Sequence, residues 1–402
     1  MSLFYSKFLL SISTFALVFL SIVRITHNGR LGLAPNRMFF NSFKLLFHRP
    51  PYLAIATLFF VCVVSGVNSS NIAMWFQQCI YKIPFLAFPI IFLNRPAVSS
   101  NEYRNLYLCL IIVSFLSAIQ VTFNYTTNYD VINKAIGSGH SIPTPYNHTR
   151  YSIMIAVATL ATFVLNISNF SLNSVHRRLI GLAGFMLFIF LHVLSIRSGL
   201  VALYAGTFLL GVYYLVRERK ILLLILFVLG LVTTPFVAYN TFTSFKKKVH
   251  YTIYDFKMNK EGKGDNYSDS ERLLSIKTGI DLIKRNPLLG TGIGDLEDTV
   301  MAFYQQEYNK SLFKLPHNQF VHSATGMGLI LGLIYTICFI IPLLYQRNYR
   351  DLFLLSFFLA LTLFCMVEKP LERSSFIAFY SLFVCAGISY LDGYKHNLKI
   401  TA

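Results

Sequence analysis

Charge is scarce in this sequence. Asp, Glu, Lys and Arg together make up 13% of its 402 residues, whereas hydrophobic residues make up 55%. A soluble globular domain usually has about 25% charged residues, so this composition excludes an ordinary soluble domain. With a mean hydropathy of +0.55, the chain is predicted to be a polytopic membrane protein built from apolar helices.

Acidic side chains are the scarcest charged group, with 17 Asp and Glu against 35 Lys and Arg and a formal net charge of +18. A strongly basic chain is often a nucleic-acid-binding protein. Here, however, the Lys and Arg lie in short clusters between apolar runs, where the positive-inside rule expects them. We therefore attribute the charge to membrane topology and expect no nucleic-acid partner.

The sequence also lacks cysteine pairs of the kind that bind metals or form structural disulfides. It has no CxxC motif, and all its cysteines lie in apolar runs. The six are Cys62, Cys79, Cys109, Cys338, Cys365 and Cys385. This placement makes disulfides and thiolate metal sites unexpected, and we expect no cofactor.

Eleven stretches are apolar and long enough to cross a bilayer, which takes about 20 residues as a helix. They lie near residues 8–24, 52–68, 75–95, 105–123, 151–167, 179–195, 199–216, 221–239, 320–345, 352–367 and 373–391. The stretch Arg30–Phe47 has two readings. As a twelfth span it would place Arg37 and Lys44 in lipid, at about 3 kcal/mol each, so the alternative is an amphipathic segment at the cytoplasmic surface.

The basic clusters fall on one side of the membrane when the eleven spans alternate, and the positive-inside rule makes that side the cytoplasm. The chain then divides into an N-terminal transmembrane bundle at 1–239, a large external loop at 240–319 and C-terminal transmembrane helices at 320–402. The N-terminus is external with eleven spans and internal with twelve.

The external loop is rich in charge of both signs, with ten acidic and twelve basic residues, which is typical of a small folded unit outside the membrane. A helix is predicted from about Ser268 to Arg285, ending at Asn286-Pro287. Its apolar residues at helical spacing are Leu273, Ile276, Ile280 and Ile283. We expect this face to rest on the membrane helices or on the bilayer interface.

A glycine run, Gly290–Gly294, follows that helix and precedes the acidic residues Asp295, Glu297 and Asp298. The run lacks a GKS or GKT ending and a preceding strand, so we interpret it as a tight turn and not as a nucleotide loop. The three carboxylates have two readings: a solvated acidic turn, which is the commoner case, or ligands for a hard cation.

Several ionisable residues lie at span ends. Arg197 falls in a short external turn before Gly199, and either snorkels to lipid headgroups or binds an anion. Lys82 and Arg150 lie near the outer ends of their spans and are more simply snorkelling side chains. His317 lies between Pro316 and a membrane helix and can accept a proton near neutral pH, with Asn318 beside it to orient or cap. His322 is more simply structural.

These residues carry a family resemblance. Three motifs carry it: Pro316-His317-Asn318-Gln319-Phe320-Val321 followed by Gly326-Met-Gly328; the helix with Arg272 leading into Asn286-Pro287-Leu-Leu-Gly290; and Ser195-Ile-Arg197-Ser198-Gly199. With these motifs, the chain resembles the O-antigen ligase and polymerase family of bacterial envelope glycosyltransferases over about residues 50–390. The resemblance implies an all-α polytopic GT-C-like fold of twelve spans with both termini in the cytoplasm.

What the resemblance implies about function is specific. His317 would be the catalytic base, Arg197 and Arg272 would bind the donor's diphosphate, and Asn318, Arg150 and Lys82 are candidates for a supporting role. The expected activity is metal-independent, inverting transfer of a glycan from undecaprenyl diphosphate to lipid A-core at the periplasmic face of the inner membrane. A polymerase of the same family is the first alternative. A lipid or glycan transporter is the second, although transporters usually place ionisable groups at mid-bilayer.

Overall fold

The structure is a computed structural model that describes residues 7–27, 31–261 and 268–401. It is helical apart from one short antiparallel hairpin. The hairpin strands are β1 (Val23–His27) and β2 (Leu31–Pro35). The helices are α1 (Lys7–Ile22), α2 (Arg37–His48), α3 (Pro50–Val64), α4 (Ile72–Lys82), α5 (Pro84–Leu93), α6 (Ser100–Thr127), α7 (Tyr129–Gly137), α8 (His148–Ile167), α9 (Ser174–Leu194), α10 (Arg197–Arg217), α11 (Ile221–Thr241), α12 (Thr243–Lys260), α13 (Ser268–Arg285), α14 (Leu296–Tyr308), α15 (Gln319–Leu344), α16 (Leu352–Val367) and α17 (Ser374–Thr401). Single turns of 3₁₀ helix lie at Ser65–Asn68, Tyr345–Arg350 and Pro370–Glu372.

The apolar helices confirm the prediction of an all-α polytopic membrane protein. In the described ranges, nine helical segments are long and apolar enough to cross a membrane, and two shorter apolar helices are Ile12–Ile22 and Leu352–Val367. Each of the eleven predicted spans coincides with one of these segments. Large apolar side chains remain exposed along them, most completely on α11, as expected for helices whose outer surface faces lipid.

The stretch Arg30–Phe47 is not one continuous helix. It contains β2 and α2, while Arg30 lies outside the described residues. Helix α2 has 12 residues, about 18 Å of helix, which is too short for a hydrocarbon core of about 30 Å. Ser42 and Leu46, one turn apart, are buried, whereas Phe47 is exposed, so the geometry is that of an amphipathic segment.

The chain forms two compact units, the first made of residues 1–99, 275–350 and 368–402. Within it, α15 packs on α3, and α5 packs against α2, α3 and α17. The core is aromatic: Tyr380 stacks on Phe339 with ring centroids 5.3 Å apart, and Phe85 meets Tyr380 edge-on at 5.9 Å. Because the Tyr380 hydroxyl donates to the Phe339 carbonyl oxygen at 3.0 Å, this large core residue leaves no polar group unsatisfied.

The second unit is made of residues 100–274 and 351–367. Helix α8 is its centre, packed by α6, α9, α10 and α16 and buried along most of its length. Close approach of α10 to α8 depends on Gly199, because a Cβ there would lie 2.6 Å from the Ser152 Cβ. Gly199 therefore lies at the contact of α10 with α8.

The predicted span 320–345 is broken rather than continuous. Gly328 has φ 83° and ψ 168°, which interrupts α15. The backbone groups freed at the break bond to the preceding glycine turn: the Leu329 N–H donates to the Pro287 carbonyl at 2.8 Å, and the Thr291 N–H donates to the Thr325 carbonyl at 2.9 Å. The glycine run is thus a tight turn, as predicted, and it satisfies the broken helix.

The predicted apolar face of α13 is not the face that packs on the protein, so of its two predicted supports the bilayer interface stays a prediction. Leu273 is 62% exposed and Ile280 is 41% exposed. The buried residues are instead Ser275, Thr278, Gly279 and Leu282. Gly279 explains the difference, because a Cβ at this position would lie 2.8 Å from Pro316 and Val321. The helix packs closely through small side chains, which hydrophobic periodicity does not detect.

Candidate functional site

A tight turn in the second unit fixes Arg197. Helix α9 ends at Leu194, and Ser195 adopts the left-handed conformation with φ 56°. The Ser195 hydroxyl donates to the His192 carbonyl at 2.7 Å, which stabilises this uncommon backbone geometry. Arg197 is the first residue of α10, so its guanidinium group is held at the N-terminal end of a rigid helix.

Arg197 and Arg272, the two predicted diphosphate ligands, lie together around one carboxylate. Both terminal nitrogens of Arg197 bond to Asp269, with Nη2 donating to Oδ1 at 2.8 Å. The Arg272 Nη1 lies 3.9 Å from the same Oδ1. Such a bidentate arrangement is the geometry by which guanidinium groups also bind phosphate, so Asp269 marks a position where an oxyanion fits.

Helix α12 supplies two further residues that the sequence analysis missed. Asp255 is buried, and its carboxylate accepts from the Asp269 N–H at 3.0 Å and from the Ser270 hydroxyl at 3.3 Å. It therefore satisfies the N-terminal end of the helix that carries Arg272. Lys248 donates through Nζ to the carbonyls of Gly139 and His140 at 3.1 and 3.3 Å.

These residues line a cavity of about 470 Å³ in the second unit, which we call the arginine cavity. Its polar lining includes Arg197, Arg272, Lys248, His140, Tyr146 and Ser198. The Ser198 hydroxyl oxygen is buried and has no hydrogen-bond partner within the part of the chain that the structure describes. A cavity of this volume is in the range of small-molecule sites, and its donors suit an anion.

The positive charge of the arginine cavity is strong enough to affect Lys248. Burial lowers the pKa of this lysine, and the nearby Arg197 and Arg272 lower it further, to about 8. Asp269 and Asp255 act in the opposite direction and offset only part of the effect. The cavity is therefore a place where a bound anion would gain from three cationic side chains.

Arg150, the predicted supporting residue of this unit, lies beside the arginine cavity. Its Nη1 is 3.5 Å from the Tyr146 hydroxyl, and Tyr146 lines the cavity. Asn147 caps the same end of α8 by accepting from the Arg150 N–H at 3.3 Å. Arg150 thus contacts a residue that lines the arginine cavity.

His317 belongs to the first unit, where two groups fix it. Its backbone N–H donates to the Ser275 hydroxyl at 3.1 Å, and its Nδ1 lies 3.2 Å from the Glu368 carboxylate. A carboxylate accepts a hydrogen bond, so Nδ1 carries the proton and Nε2 is left as the basic nitrogen. The side chains are 21% and 15% exposed, and therefore reachable. Glu368 is a further residue that sequence reasoning missed.

Asn318 has the capping role that was one of its two predicted functions. Its side-chain oxygen accepts from the backbone N–H groups of Phe320 and Val321 at 3.0 and 3.1 Å. This satisfies the N-terminal end of α15. Because the capped helix begins directly after His317, Asn318 also fixes the backbone from which the imidazole projects.

Lys82 is fully buried in the first unit and does not snorkel. Its ammonium group lies 2.5 Å from Glu372, whose other oxygen accepts from Gln319 Nε2 at 2.6 Å. His322 Nε2 is 3.7 Å from Glu372, and His322 is buried, in agreement with a structural histidine. Lys82 therefore holds a carboxylate in the protein interior instead of reaching headgroups.

The acidic turn is partly engaged rather than solvated. Asp295 accepts from the backbone N–H groups of Ser70 and Asn71 at 2.6 and 2.8 Å, while Glu297 and Asp298 are exposed. Within residues 7–27, 31–261 and 268–401, no group of three His, Cys, Asp or Glu side chains is arranged to hold a metal ion. Asp295 instead fastens the glycine turn to the loop before α4.

Comparison with known families agrees with this arrangement. Residues 182–336 match the family model for O-antigen ligase. This segment of the chain is similar to the O-antigen ligase family. Members of this family are glycosyltransferase-like enzymes of lipopolysaccharide synthesis. A search of curated proteins finds no match to this chain.

The matched segment is narrower than the resemblance over about 50–390, and it covers less than half of the chain. It includes Arg197, Lys248, Arg272 and His317. Glu368 and Glu372, which pair with His317 and Lys82, lie outside it.

Proposed function

We propose that the protein is an O-antigen ligase that transfers a glycan from undecaprenyl diphosphate to a lipid A-core acceptor, at the periplasmic face of the bacterial inner membrane. The observation that carries the proposal is the arginine cavity, where Arg197, Arg272 and Lys248 surround a space of about 470 Å³. A diphosphate diester carries one negative charge on each phosphate, and this cavity offers cationic donors for both.

In this proposal the arginines stabilise the leaving group. When the bond between the anomeric carbon and the diphosphate breaks, negative charge increases on the departing phosphate oxygen. Guanidinium groups held in place before the reaction stabilise that charge without reorganising. Asp269 holds Arg197 and Arg272 in the free protein, and the phosphate oxygens take over their hydrogen bonds when the donor binds.

His317 is proposed to be the general base. Its Nε2 accepts the proton of the acceptor hydroxyl, whose oxygen attacks the anomeric carbon opposite the departing diphosphate and inverts it. Glu368 stabilises the tautomer with a free Nε2 and the imidazolium that forms. General base assistance contributes a factor of roughly 10² to 10⁴, so positioning and charge stabilisation supply the remainder. Arg197 and Arg272 carry the electrostatic role, and the reaction is proposed to need no metal.

The experiment is a lipopolysaccharide gel of a deletion strain complemented with variants. We expect the deletion to lose long O-chains while lipid-linked polymer accumulates, and the wild-type gene to restore them. Arg197→Lys and Arg272→Lys keep the charge but lose the planar fork, so they should restore them poorly. Lys277→Ala, at an exposed position of α13, is the matched control and should restore them fully.

Two outcomes would contradict the proposal. If the deletion strain makes lipid A-core with a single repeat unit, the protein is a polymerase of the same family. If long chains persist in the deletion strain, the protein does not act in this transfer. Full activity of both Arg→Lys variants would show that neither arginine binds the diphosphate through its planar fork.

A further inference from the structure

Lys248 has a position that the proposed roles of Arg197 and Arg272 leave unexplained. It lies on α12, lines the arginine cavity together with the two arginines, and is half-buried there. Placing an ammonium group beside two guanidinium groups is unfavourable unless negative charge is also present. The two nearby carboxylates, Asp255 and Asp269, are already engaged in hydrogen bonds with α13 and with Arg197.

The hydrogen bonds of Lys248 show what it holds. Nζ donates to the carbonyls of Gly139 and His140, which begin the segment of residues 139–149 that forms one side of the arginine cavity. The ammonium group also lies 5.4 Å from the centre of the Tyr251 ring. Tyr251 in turn packs against Gly139, whose φ of 96° and lack of Cβ allow the close approach. Lys248 and Tyr251 thus fasten this segment, which we call the cavity wall, to α12.

We propose that Lys248 is the third diphosphate-binding residue of the arginine cavity, and that it joins the bound diphosphate to the cavity wall. This inference rests on the proposed function and deepens it. Within the described residues, two of the three ammonium hydrogens are used by the wall carbonyls, which leaves the third for a phosphate oxygen. Donor binding and order in residues 139–149 are then coupled through one side chain.

A lysine in this role makes donor affinity depend on pH. The pKa of Lys248 is lowered to about 8, first by burial and then by the two arginines. A bound diphosphate favours the charged ammonium and raises this pKa again, so protons are taken up on binding. Donor affinity is therefore highest when Lys248 is already protonated before binding, and it falls as the pH rises above about 8.

The size of the effect follows from the two pKa values. If the diphosphate restores a value near the ordinary 10.4 of lysine, affinity should be about tenfold weaker at about pH 9 than at about pH 7. The charged and titratable groups around Lys248 are Arg197, Arg272, Asp255, Asp269, His140 and His148. Arginines stay charged throughout this window, and the Lys248→Met variant removes the lysine while leaving both histidines in place.

The experiment measures binding of farnesyl diphosphate N-acetylglucosamine to the full-length protein in nanodiscs, between about pH 7 and about pH 9. Each phosphate of this diester probe keeps one fixed negative charge across that range, so the probe adds no titration of its own. The variants are Lys248→Met, Lys248→Arg and the control Lys277→Met. We also include Lys369→Arg, because burial lowers the pKa of Lys369 to about 8 as well.

We expect the wild type, Lys277→Met and Lys369→Arg to lose affinity about tenfold across the window. Lys248→Met should bind roughly 250-fold more weakly at about pH 7, because it loses the whole difference between a pKa of about 8 and one of about 10.4, and its affinity should not change with pH. Lys248→Arg should keep most of the affinity and also lose the pH dependence, because arginine does not titrate there. If Lys248 were purely structural, both Lys248→Met and Lys248→Arg would bind the probe weakly, and the remaining binding would still change with pH.

Contrary results separate the two claims. If the wild type binds the probe and Lys248→Met keeps the same pH profile, Lys248 does not contact the diphosphate, while the proposed function stands. If the profile is abolished in Lys369→Arg instead, the titrating group is Lys369 and the inference is wrong. If the wild type and all variants fail to bind the probe at any pH, the proposed function itself fails.

Discussion

The buried pair of Lys82 and Glu372 gives a test of whether Lys82 supports the reaction or the fold. Lys82 is 0% exposed and Glu372 is 8% exposed by side chain, and their charged atoms are 2.5 Å apart. We consider the single changes Lys82→Met and Glu372→Gln and the double variant. Each single change leaves the other member of the pair in the interior without its counter-charge.

The expected loss can be estimated from burial. Removing one partner of a buried ion pair typically costs about 3–5 kcal/mol, whereas replacing both partners is often nearly neutral. Glu372 would keep Gln319 and His322 nearby in Lys82→Met, so the lower end of that range applies to this variant. In a unit of this size, each kcal/mol lowers the unfolding midpoint by about 2–4 °C, which predicts a shift of roughly 10 °C.

The assay is thermal unfolding of the purified protein in detergent, followed by the double-mutant cycle. Glu307→Gln is the matched control, because the pair Arg285–Glu307 has the same 2.5 Å separation but side chains that are 52% and 45% exposed. Exposed pairs contribute about 0–1 kcal/mol, so this control should shift the midpoint by only a few degrees. The double variant should recover most of the stability lost in either single variant.

The pH dependence of the same pair has a definite sign. Burial alone would raise the pKa of Glu372, but the Lys82 ammonium and His322 hold it well below its ordinary value. The stability contributed by the carboxylate is therefore present above the ordinary glutamate value of about 4.3 and is lost only as the pH falls further. The reasoning would be refuted if the double variant lost as much stability as the two single variants together. It would also be refuted if the single variants lost no more stability than Glu307→Gln.

Two further predictions follow from the first unit. Glu368→Gln should lower kcat for glycan transfer roughly 10- to 100-fold with little change in KM, because His317 loses the carboxylate that fixes its tautomer; an unchanged kcat would show that Glu368 has no such role. Gly328→Ala should destabilise the protein by about 1–3 kcal/mol, since its φ is positive and a Cβ would collide with the Leu288 carbonyl oxygen. Gly230→Ala, where a Cβ meets nothing within 4 Å, is its control, and equal melting midpoints for the two variants would contradict the prediction.

The membrane helices could be predicted from the sequence because the hydrocarbon core of a bilayer requires apolar side chains along each span. A span must be about 20 residues of apolar helix with its backbone groups bonded internally, so length and hydropathy are nearly sufficient. The same logic left α2 open, since Arg37 and Lys44 argued against lipid while the family resemblance implied a twelfth span. The roles of Arg197, Arg272 and His317 followed from the family resemblance, because hydropathy and charge alone left Arg197 open between headgroup contact and anion binding.

The missed features depend on contacts that are distant in sequence. Helix α12 has no clear apolar periodicity. Lys248 contacts Gly139, 109 residues away in sequence, and Asp255 contacts Asp269, 14 residues away. The break at Gly328 needs the turn at Pro287 to satisfy it. No local pattern reveals such partners, and the buried face of α13 was missed because Gly279 replaces a hydrophobic side chain with close backbone packing.

The scarcity of acidic residues is itself a guide to function. A carboxylate in the interior of a membrane protein is costly unless a cation or several donors compensate it. Here Asp269 lies between Arg197 and Arg272, and Glu368 pairs with His317. Topogenic lysines and arginines need no such partners, because lipid headgroups and water surround them. In a basic, acid-poor chain, an acid that contacts a cation therefore marks that cation as one placed for chemistry or packing and not for topology.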